Sequence, residues 1–351
     1  MAETAPHPDP PSISVVIVTH NAGEAIEATL QALCAQLRDE DEVIVVDNDS
    51  SDGTVALVRS SAPGARTIET GTNLGFAGGC NRGVETASGD LLVLLNPDAV
   101  PSIGWRDGIE RPMLCDRGWT AWQALVTQDG GERVNTRGGV VHFTGIAWAG
   151  GEGEHVGEMP RADGEEPGFV SGACMAIPLA EYLRLGGLAE EFFLHHEDVD
   201  LSLRVRLAGG VLGVERAARV DHAYEFDKGA PKWRYLERNR WATLLRTYPG
   251  SLLLLLAPGL IATEAALIFV ALAGGWLPQK LRAWADVWRA LPRLLRERRA
   301  LKPLREVSAG RFAAGLTASL DSPYLGAAGR SRLLGGALGL YCRIVRALRG
   351  C

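Results

Sequence analysis

Short apolar runs that stop abruptly on polar residues punctuate the first half of the chain. Residues 13–18 (ISVVIV) end at Thr19-His20-Asn21, residues 43–46 end at Asp47-Asn48-Asp49, and residues 91–95 (LLVLL) end at Asn96-Pro97-Asp98. Uninterrupted apolar runs bounded by turn residues predict strands buried on both faces. Between them the spacing becomes helical: Ile26, Leu30, Leu33 and Leu37 recur every three or four residues, and residues 54–59 resume a helix after Gly53. A weaker strand is expected at 67–69. Strands alternating with helices predict an α/β fold with a doubly wound, mostly parallel sheet. In such sheets ligands bind beyond the carboxyl ends of the strands, which makes Thr19, Asn21, Asp47, Asn96 and Asp98 the first candidate site residues.

The segment from Asn73 through Gly75 to Asn81 is rich in glycine and asparagine, and is expected to be a loop whose backbone approaches a ligand, ahead of a short helix at 82–87. Beyond residue 105 the rhythm is lost. A strand is expected at 120–126, and residues 127–168, with the glycine-rich acidic run 150–166, are expected to form a variable insertion or lid. Strand character returns at 169–177, followed by a brief helix at 179–185. Val199, Leu203 and Leu207 then share one helical face, which places Glu197 and Asp198 at that helix's amino end. Closing strands are expected at 211–214 and 218–222, the last ending on His222.

From residue 231 the pattern changes. Residues 233–248 form an aromatic, arginine-studded helix, and 252–276 are apolar except for Glu264 and the breaks at Pro258-Gly259 and Gly274-Gly275. That length could cross a membrane. Basic residues flank it on both sides (Arg234, Arg238, Arg240 and Arg246 before; Lys280, Arg282, Arg289 and Arg293 among those after), so a single crossing would leave one cluster on the wrong side. Helices lying in, or dipping into, the inner leaflet are therefore expected, with Trp284, Trp288 and Leu295 on an interfacial face.

Charge sharpens this division. The net charge of -6 hides 36 acidic and 16 basic residues in 1–230 against 6 acidic and 20 basic residues in 231–351. A basic, Leu- and Trp-rich region behind an acidic domain predicts anionic inner-leaflet lipid as a partner, and no nucleic acid. The expected organisation is a disordered leader at 1–11, a catalytic domain at 12–230 and a helical membrane-associating region at 231–351. At 46% hydrophobic content the chain can bury a substantial core. The Pro-rich start lacks the charged and apolar regions of a secretory signal, so the catalytic part is expected at the cytoplasmic face of the plasma membrane. Six cysteines at scattered spacings predict reduced, structural thiols and no cysteine zinc site.

A carboxylate at the end of a central strand, Asp98, can hold a divalent cation against a diphosphate; its alternative is a turn former after proline. No G-x-G-x-x-G follows the first strand and no HExxH is present, which argues against a dinucleotide oxidoreductase and a zinc hydrolase. The segments VVIVTHN, VVDNDSSDGT, NLGFAGGCNRG, LLNPDAVP and HHEDVDLSLR, in this order, resemble glycosyltransferase family 2, in particular its bacterial rhamnosyltransferase-like branch, over about residues 12–248. The resemblance implies a GT-A fold, a nucleoside-diphosphate sugar donor, Mg2+ or Mn2+, and inversion at the anomeric carbon. It implies a donor-base contact for Asp47, nucleotide contacts for Thr19 and Asn21, and a floor under the donor from Asn73, Gly75, Asn81 and Asn96. It implies metal binding by Asp98 with His222, and a catalytic base in Asp198 with Glu197 beside it. Many relatives carry two aspartates where this chain has Asn96-Pro97-Asp98, which leaves one carboxylate for the cation. Asp200, four residues before Arg204, reads as a helix-surface ion pair. The activity implied is transfer of a sugar, with rhamnose suggested, to a glycan or polyprenyl-linked acceptor of the cell envelope. The alternatives are a degenerate scaffold and a nucleotide-sugar-forming nucleotidyltransferase.

Overall fold

The computed structural model describes residues 10–159, 166–222, 231–321 and 332–347. Most of the expected leader (1–9), part of the expected insertion (160–165) and the segment 223–230 lie outside the described residues.

Four strands, β1 (Ile13–Thr19), β2 (Glu42–Asp47), β3 (Arg66–Glu69) and β4 (Leu91–Leu95), pair in parallel with β1 between β2 and β4. The sheet continues through β5 (Ala99–Pro101), β6 (Ala121–Gln128), β7 (Arg133–Thr136), β10 (Cys174–Pro178) and β11 (Leu212–His222). Its order is β3-β2-β1-β4-β10-β6-β11-β5, with β7 on β6, while β8 (Gly139–Val141) and β9 (Ala147–Ala149) form a separate pair. β10 is antiparallel to both β4 and β6, and β11 is parallel to β6, so the long strands other than β10 share one direction. The two closing strands expected at the end are one strand, β11, broken by a register shift between Glu215 and Arg219.

The sheet is apolar on both faces because each apolar run feeds two cores. Val15, Ile17, Val93 and Leu95 meet Ile26, Leu30 and Leu33 of α1 (Gly23–Cys34), Val58 of α2 (Thr54–Ser61), and Trp105 and Ile109 of α4 (Trp105–Leu114). Val16, Val18, Leu92 and Leu94 meet Ala77, Cys80 and Val84 of α3 (Gly75–Val84), Tyr182 of α5 (Leu179–Arg184), and Leu201 and Val205 of α6 (Glu197–Leu207). One expectation is corrected here. The glycine-rich stretch after Asn73 is the body of α3, not a loop before a helix. A Cβ on Gly79 or Gly83 would come within 2.6 Å of Val18 or Val16, so these glycines let the helix lie close on the sheet.

The basic region is built into the same body. It comprises α7 (Pro231–Thr247), α8 (Gly250–Ala273), α9 (Leu277–Ala300), α10 (Ala309–Ala314) and α11 (Arg332–Ala347). Leu203 and Leu207 of α6 share a core with Leu244, Tyr248, Leu252, Leu256, Leu260 and Phe312. Leu252, Leu256, Leu260 and Ala271 form a buried stripe along α8, while Leu254, Ile261, Phe269, Val270 and Leu272 face outward. A 24-residue helix is about 36 Å long, and the stripe fastens it lengthwise. Its one charge, Glu264, is fastened too. Lys280 donates to Glu237 at 2.5 Å and lies 3.0 Å from Glu264, and Arg240 pairs with both carboxylates.

The flanking bases are therefore not all available to lipid. Arg240, Arg246 and Lys280 are buried in ion pairs, and Arg234 pairs with Asp286. Arg246–Asp200 and Arg293–Glu191 tie bases of this region to acids of residues 1–230. On α9 the exposed residues include Leu281-Arg282, Trp288-Arg289 and Leu295-Arg296, at intervals of seven, which repeat close to one helix face.

Candidate active site

A cleft of about 870 Å³ opens at the carboxyl ends of β1 and β4. Thr19, Asn21, Asn73, Gly75, Asn96, Asp98, Glu197, Asp198 and His222 all line it. α7 and α8 close it from above with Trp233, Leu236, Glu237, Arg240, Leu267 and Val270.

At one end, Thr19 and Asp47 terminate adjacent parallel strands and stand in register. Both are buried, and Thr19 Oγ1 and Asp47 Oδ1 have no hydrogen-bond partner, although Asp47 Oδ2 accepts from the Ser50 amide at 3.0 Å. Unsatisfied buried oxygens at a strand end are unusual and favour a ligand donor. Asn21, with φ 51°, uses Oδ1 to accept from the Ser51 amide at 2.8 Å, so it ties the β1 loop to the β2 loop and does not cap α1. Asn73 Oδ1 accepts from the Gly75 amide at 2.8 Å. Gly75 has φ +72°, and a Cβ there would lie 2.4 Å from the Phe193 carbonyl, which only glycine tolerates. Asp47 is not among the residues that line the cleft, and neither is Asn81. Its amide donates to the Leu188 carbonyl and Glu190, and its oxygen accepts from Tyr182 Oη at 2.7 Å, on the side of α3 away from the cleft lining.

At the floor, Asp98 Oδ1 lies 3.1 Å from Nε2 of the buried His222, and Asn96 Nδ2 approaches the same nitrogen at 3.4 Å. The carboxylate is half-exposed to the cleft. A carboxylate oxygen and an imidazole nitrogen are donor types that a divalent cation such as Mn2+ accepts. Among the described residues no group of three or more His, Cys, Asp or Glu side chains converges on one point.

α6 presents Glu197 and Asp198 in its first turn. Asp198 is half-buried and accepts from the Gly172 amide at 3.2 Å and the Val199 amide at 2.8 Å. Burial raises its pKa, more than these two hydrogen bonds lower it. Glu197 is raised further, first by burial and then by the charge of Asp198, and its Oε2 has no partner. The pair therefore ionises in sequence, with Asp198 carrying the first charge. His195 and His196 also line the cleft; burial pushes the His196 imidazole down to about 3, so it is neutral. Asp200 is not on the surface. It is fully buried between Arg204 at 2.8 Å and Arg246 at 2.9 Å, which locks α6 to α7.

The loop that delivers Asp198 is strained. Phe193, His195 and His196 have φ of 62–68°, where side chains cost about 1–3 kcal/mol each. Asn239 of α7 holds it there: its buried amide donates to the carbonyls of Phe192 (3.0 Å), Leu194 (2.9 Å) and His195 (2.7 Å), with Arg238 adding a bond to Phe192. Sequence inspection missed Asn239, Glu237 and Arg240, because the run Arg238-Asn239-Arg240 reads as the polar face of an interfacial helix. Asn239→Ala is expected to lower turnover about tenfold with donor affinity unchanged. It should cost about 1–3 kcal/mol of stability, to be checked by steady-state kinetics and thermal unfolding.

With this geometry in place, comparison with known proteins becomes informative. Residues 14–109 match the sequence model of glycosyl transferase family 2. The chain carries a family 2 glycosyltransferase domain. Over 254 residues the transferase is 25% identical to N-acetylglucosaminyl-diphospho-decaprenol L-rhamnosyltransferase of Mycobacterium tuberculosis, covering 66% of this chain and 83% of that protein. Among solved structures, GalNAc-T7 with UDP, GalNAc and Mn2+ superposes with a TM-score of 0.55 at 14% identity over 69% of the transferase; the transferase spans about half of that chain, 49%. The mannosyltransferase PcManGT of Pyrobaculum calidifontis, in complex with GDP-Man and Mn2+, gives 0.50 at 21% identity over 86% of the transferase and 88% of that chain. These likenesses identify the fold as GT-A. The family match includes Thr19 through Asp98 but not Asp198 or His222, which the fold alone brings to the cleft.

Proposed function

We propose that the transferase moves a sugar from a nucleoside diphosphate, with inversion, to a hydroxyl of a polyprenyl-linked envelope glycan at the cytoplasmic face of the membrane. The observation that carries this reading is that Asp98 and Asp198, a hundred residues apart, line one cleft. In it, Asp198 takes the proton of the acceptor hydroxyl as that oxygen attacks the anomeric carbon. Burial raises its pKa, which makes it a stronger base than an ordinary aspartate, and the Gly172 and Val199 amides fix its orientation. Glu197, neutral beside it, keeps a second negative charge away. Thr19 and Asp47, with buried oxygens unsatisfied, receive the nucleoside, and Asn21, Asn73 and Gly75 shape the wall around it. Asp98 and His222 would hold Mg2+ or Mn2+, and a bound cation supplies charge neutralisation for the departing diphosphate. Rhamnose is the sugar favoured by the similarity to the mycobacterial enzyme.

The division into a catalytic domain at 12–230 and a membrane-associating region at 231–351 belongs to the same proposal. α8 is the one described helix long and apolar enough to cross a membrane. With Leu252, Leu256 and Leu260 packed in a core shared with the catalytic body and residues 261–270 open, α8 is assigned an in-plane seat, its outer apolar face in the inner leaflet and the exposed arginines of α9 toward anionic headgroups.

The test is a screen of the purified full chain against nucleotide sugars, dTDP-rhamnose included, with Mg2+, Mn2+ or a chelator. One donor is expected to be turned over, and chelation to reduce the rate at least a hundredfold. Turnover of no donor would overturn the reading in favour of a scaffold, and release of pyrophosphate from a nucleotide triphosphate would favour a nucleotidyltransferase.

A further inference from the structure

The wall of the cleft furthest from the strand ends is apolar. Leu236 of α7, Leu267 and Val270 of α8, and the indoles of Trp233 and Trp276 form it. The two indoles stack with centroids 4.7 Å apart and 12° between their planes. The sugar and diphosphate of a donor are polar and give no reason for aliphatic side chains such as Leu236, Leu267 and Val270. The same turn of α8 also faces outward. Val270 lines the cleft yet is 54% exposed, and its neighbours Phe269 and Leu272 are 72% and 63% exposed. Val270 thus belongs both to the exposed apolar face of α8 and to the cleft that Asp198 lines, where Glu237 and Arg240 beside it neutralise each other. It is also fixed in place, because the Glu264 ion pairs with Arg240 and Lys280 and the Trp284 Nε1 bond to Glu264 at 3.0 Å anchor α8 one turn before Leu267.

Resting on the function proposed above, we propose that Trp233, Leu267, Val270 and Trp276 form a groove for the first isoprene units of the acceptor's polyprenyl chain, which comes in sideways from the bilayer along α8. A polyprenyl chain is the occupant that fits, since the groove is continuous at one end with the face of α8 assigned to the membrane and at the other with the proposed base.

Photolabelling of the full chain in detergent micelles with a benzophenone-tagged long-chain polyprenyl diphosphate tests this. Labelled peptides are expected to contain residues 267–276 or Trp233. Untagged long-chain polyprenyl diphosphate should compete at least tenfold better than the two-isoprene citronellyl diphosphate. Val270→Asp, at a half-exposed position that tolerates a charge in the fold, should cut labelling at least fivefold, whereas Leu183→Ser, an exposed leucine on α5 away from the cleft, should not change it. Labelling on α9 or α11 instead, equal competition by the short chain, or undiminished labelling of Val270→Asp would each overturn the proposal. No nucleotide sugar is used, so absence of donor turnover would sink the transferase reading without altering this readout, and failure of the label would leave donor turnover intact.

Discussion

Asp198→Asn is expected to reduce sugar transfer by about 10²–10⁴-fold, the range set by loss of a general base, while donor affinity stays within about twofold. The amide keeps the size of the carboxylate and one acceptor oxygen, so the fold around α6 is retained; what is lost is the proton acceptor. Donor affinity is the control because the buried oxygens of Thr19 and Asp47 stand at the ends of β1 and β2, not on α6. The pH profile gives a second readout. Burial raises the Asp198 carboxyl, so the active, ionised form is lost as pH falls through a value above the ordinary aspartate range. The acid limb of kcat should therefore lie above the ordinary aspartate range. Wild-type rate in Asp198→Asn would end the assignment.

Asp200→Asn is expected to be the most destabilising single exchange considered, by about 3–5 kcal/mol, because it leaves the buried Arg204 guanidinium without its counter-charge and Arg246 with Glu297 alone. Arg204 and Arg246 both point at this carboxylate from inside the α6–α7 contact. Burial alone would raise the Asp200 pKa, but the two arginines outweigh it and the net shift is downward. The sign follows: the stability Asp200 contributes is present above the ordinary aspartate range and is lost as pH falls through its lowered pKa. Asp286→Asn, which breaks the more exposed pair with Arg234, should cost under about 1 kcal/mol. Chemical denaturation of both variants at pH 7 separates the two cases, and equal costs would contradict the buried-pair account.

The strands were legible because burial on both faces writes itself as unbroken apolar runs: 91–95 in the sequence is β4 in the structure, and Asp98 stands just past its end. Glu197-Asp198 was legible for a related reason, since Val199, Leu203 and Leu207 fix which end of α6 faces the cleft. Other features were hidden by the same residue chemistry serving two purposes. Glycines at 78, 79 and 83 look like a loop in sequence, yet permit a helix to lie on valines. Asn81 looks like a donor contact and ties α3 to Tyr182. Arginines and a lysine in an apolar setting look like lipid-facing charge, but Arg240, Arg246 and Lys280 are paired inside, because their partners Glu237, Asp200 and Glu264 are distant in the chain or appear to belong to another face. Asn239 carries no periodic signal at all; only the strained carbonyls it holds reveal it.

Lys280 reaches back from α9 to Glu237 in the cleft and to Glu264 on α8. Trimming the chain before α9 would leave Glu237, which lines the cleft, with Arg240 as its remaining counter-ion, so a shortened preparation would be assayed with an altered reaction chamber.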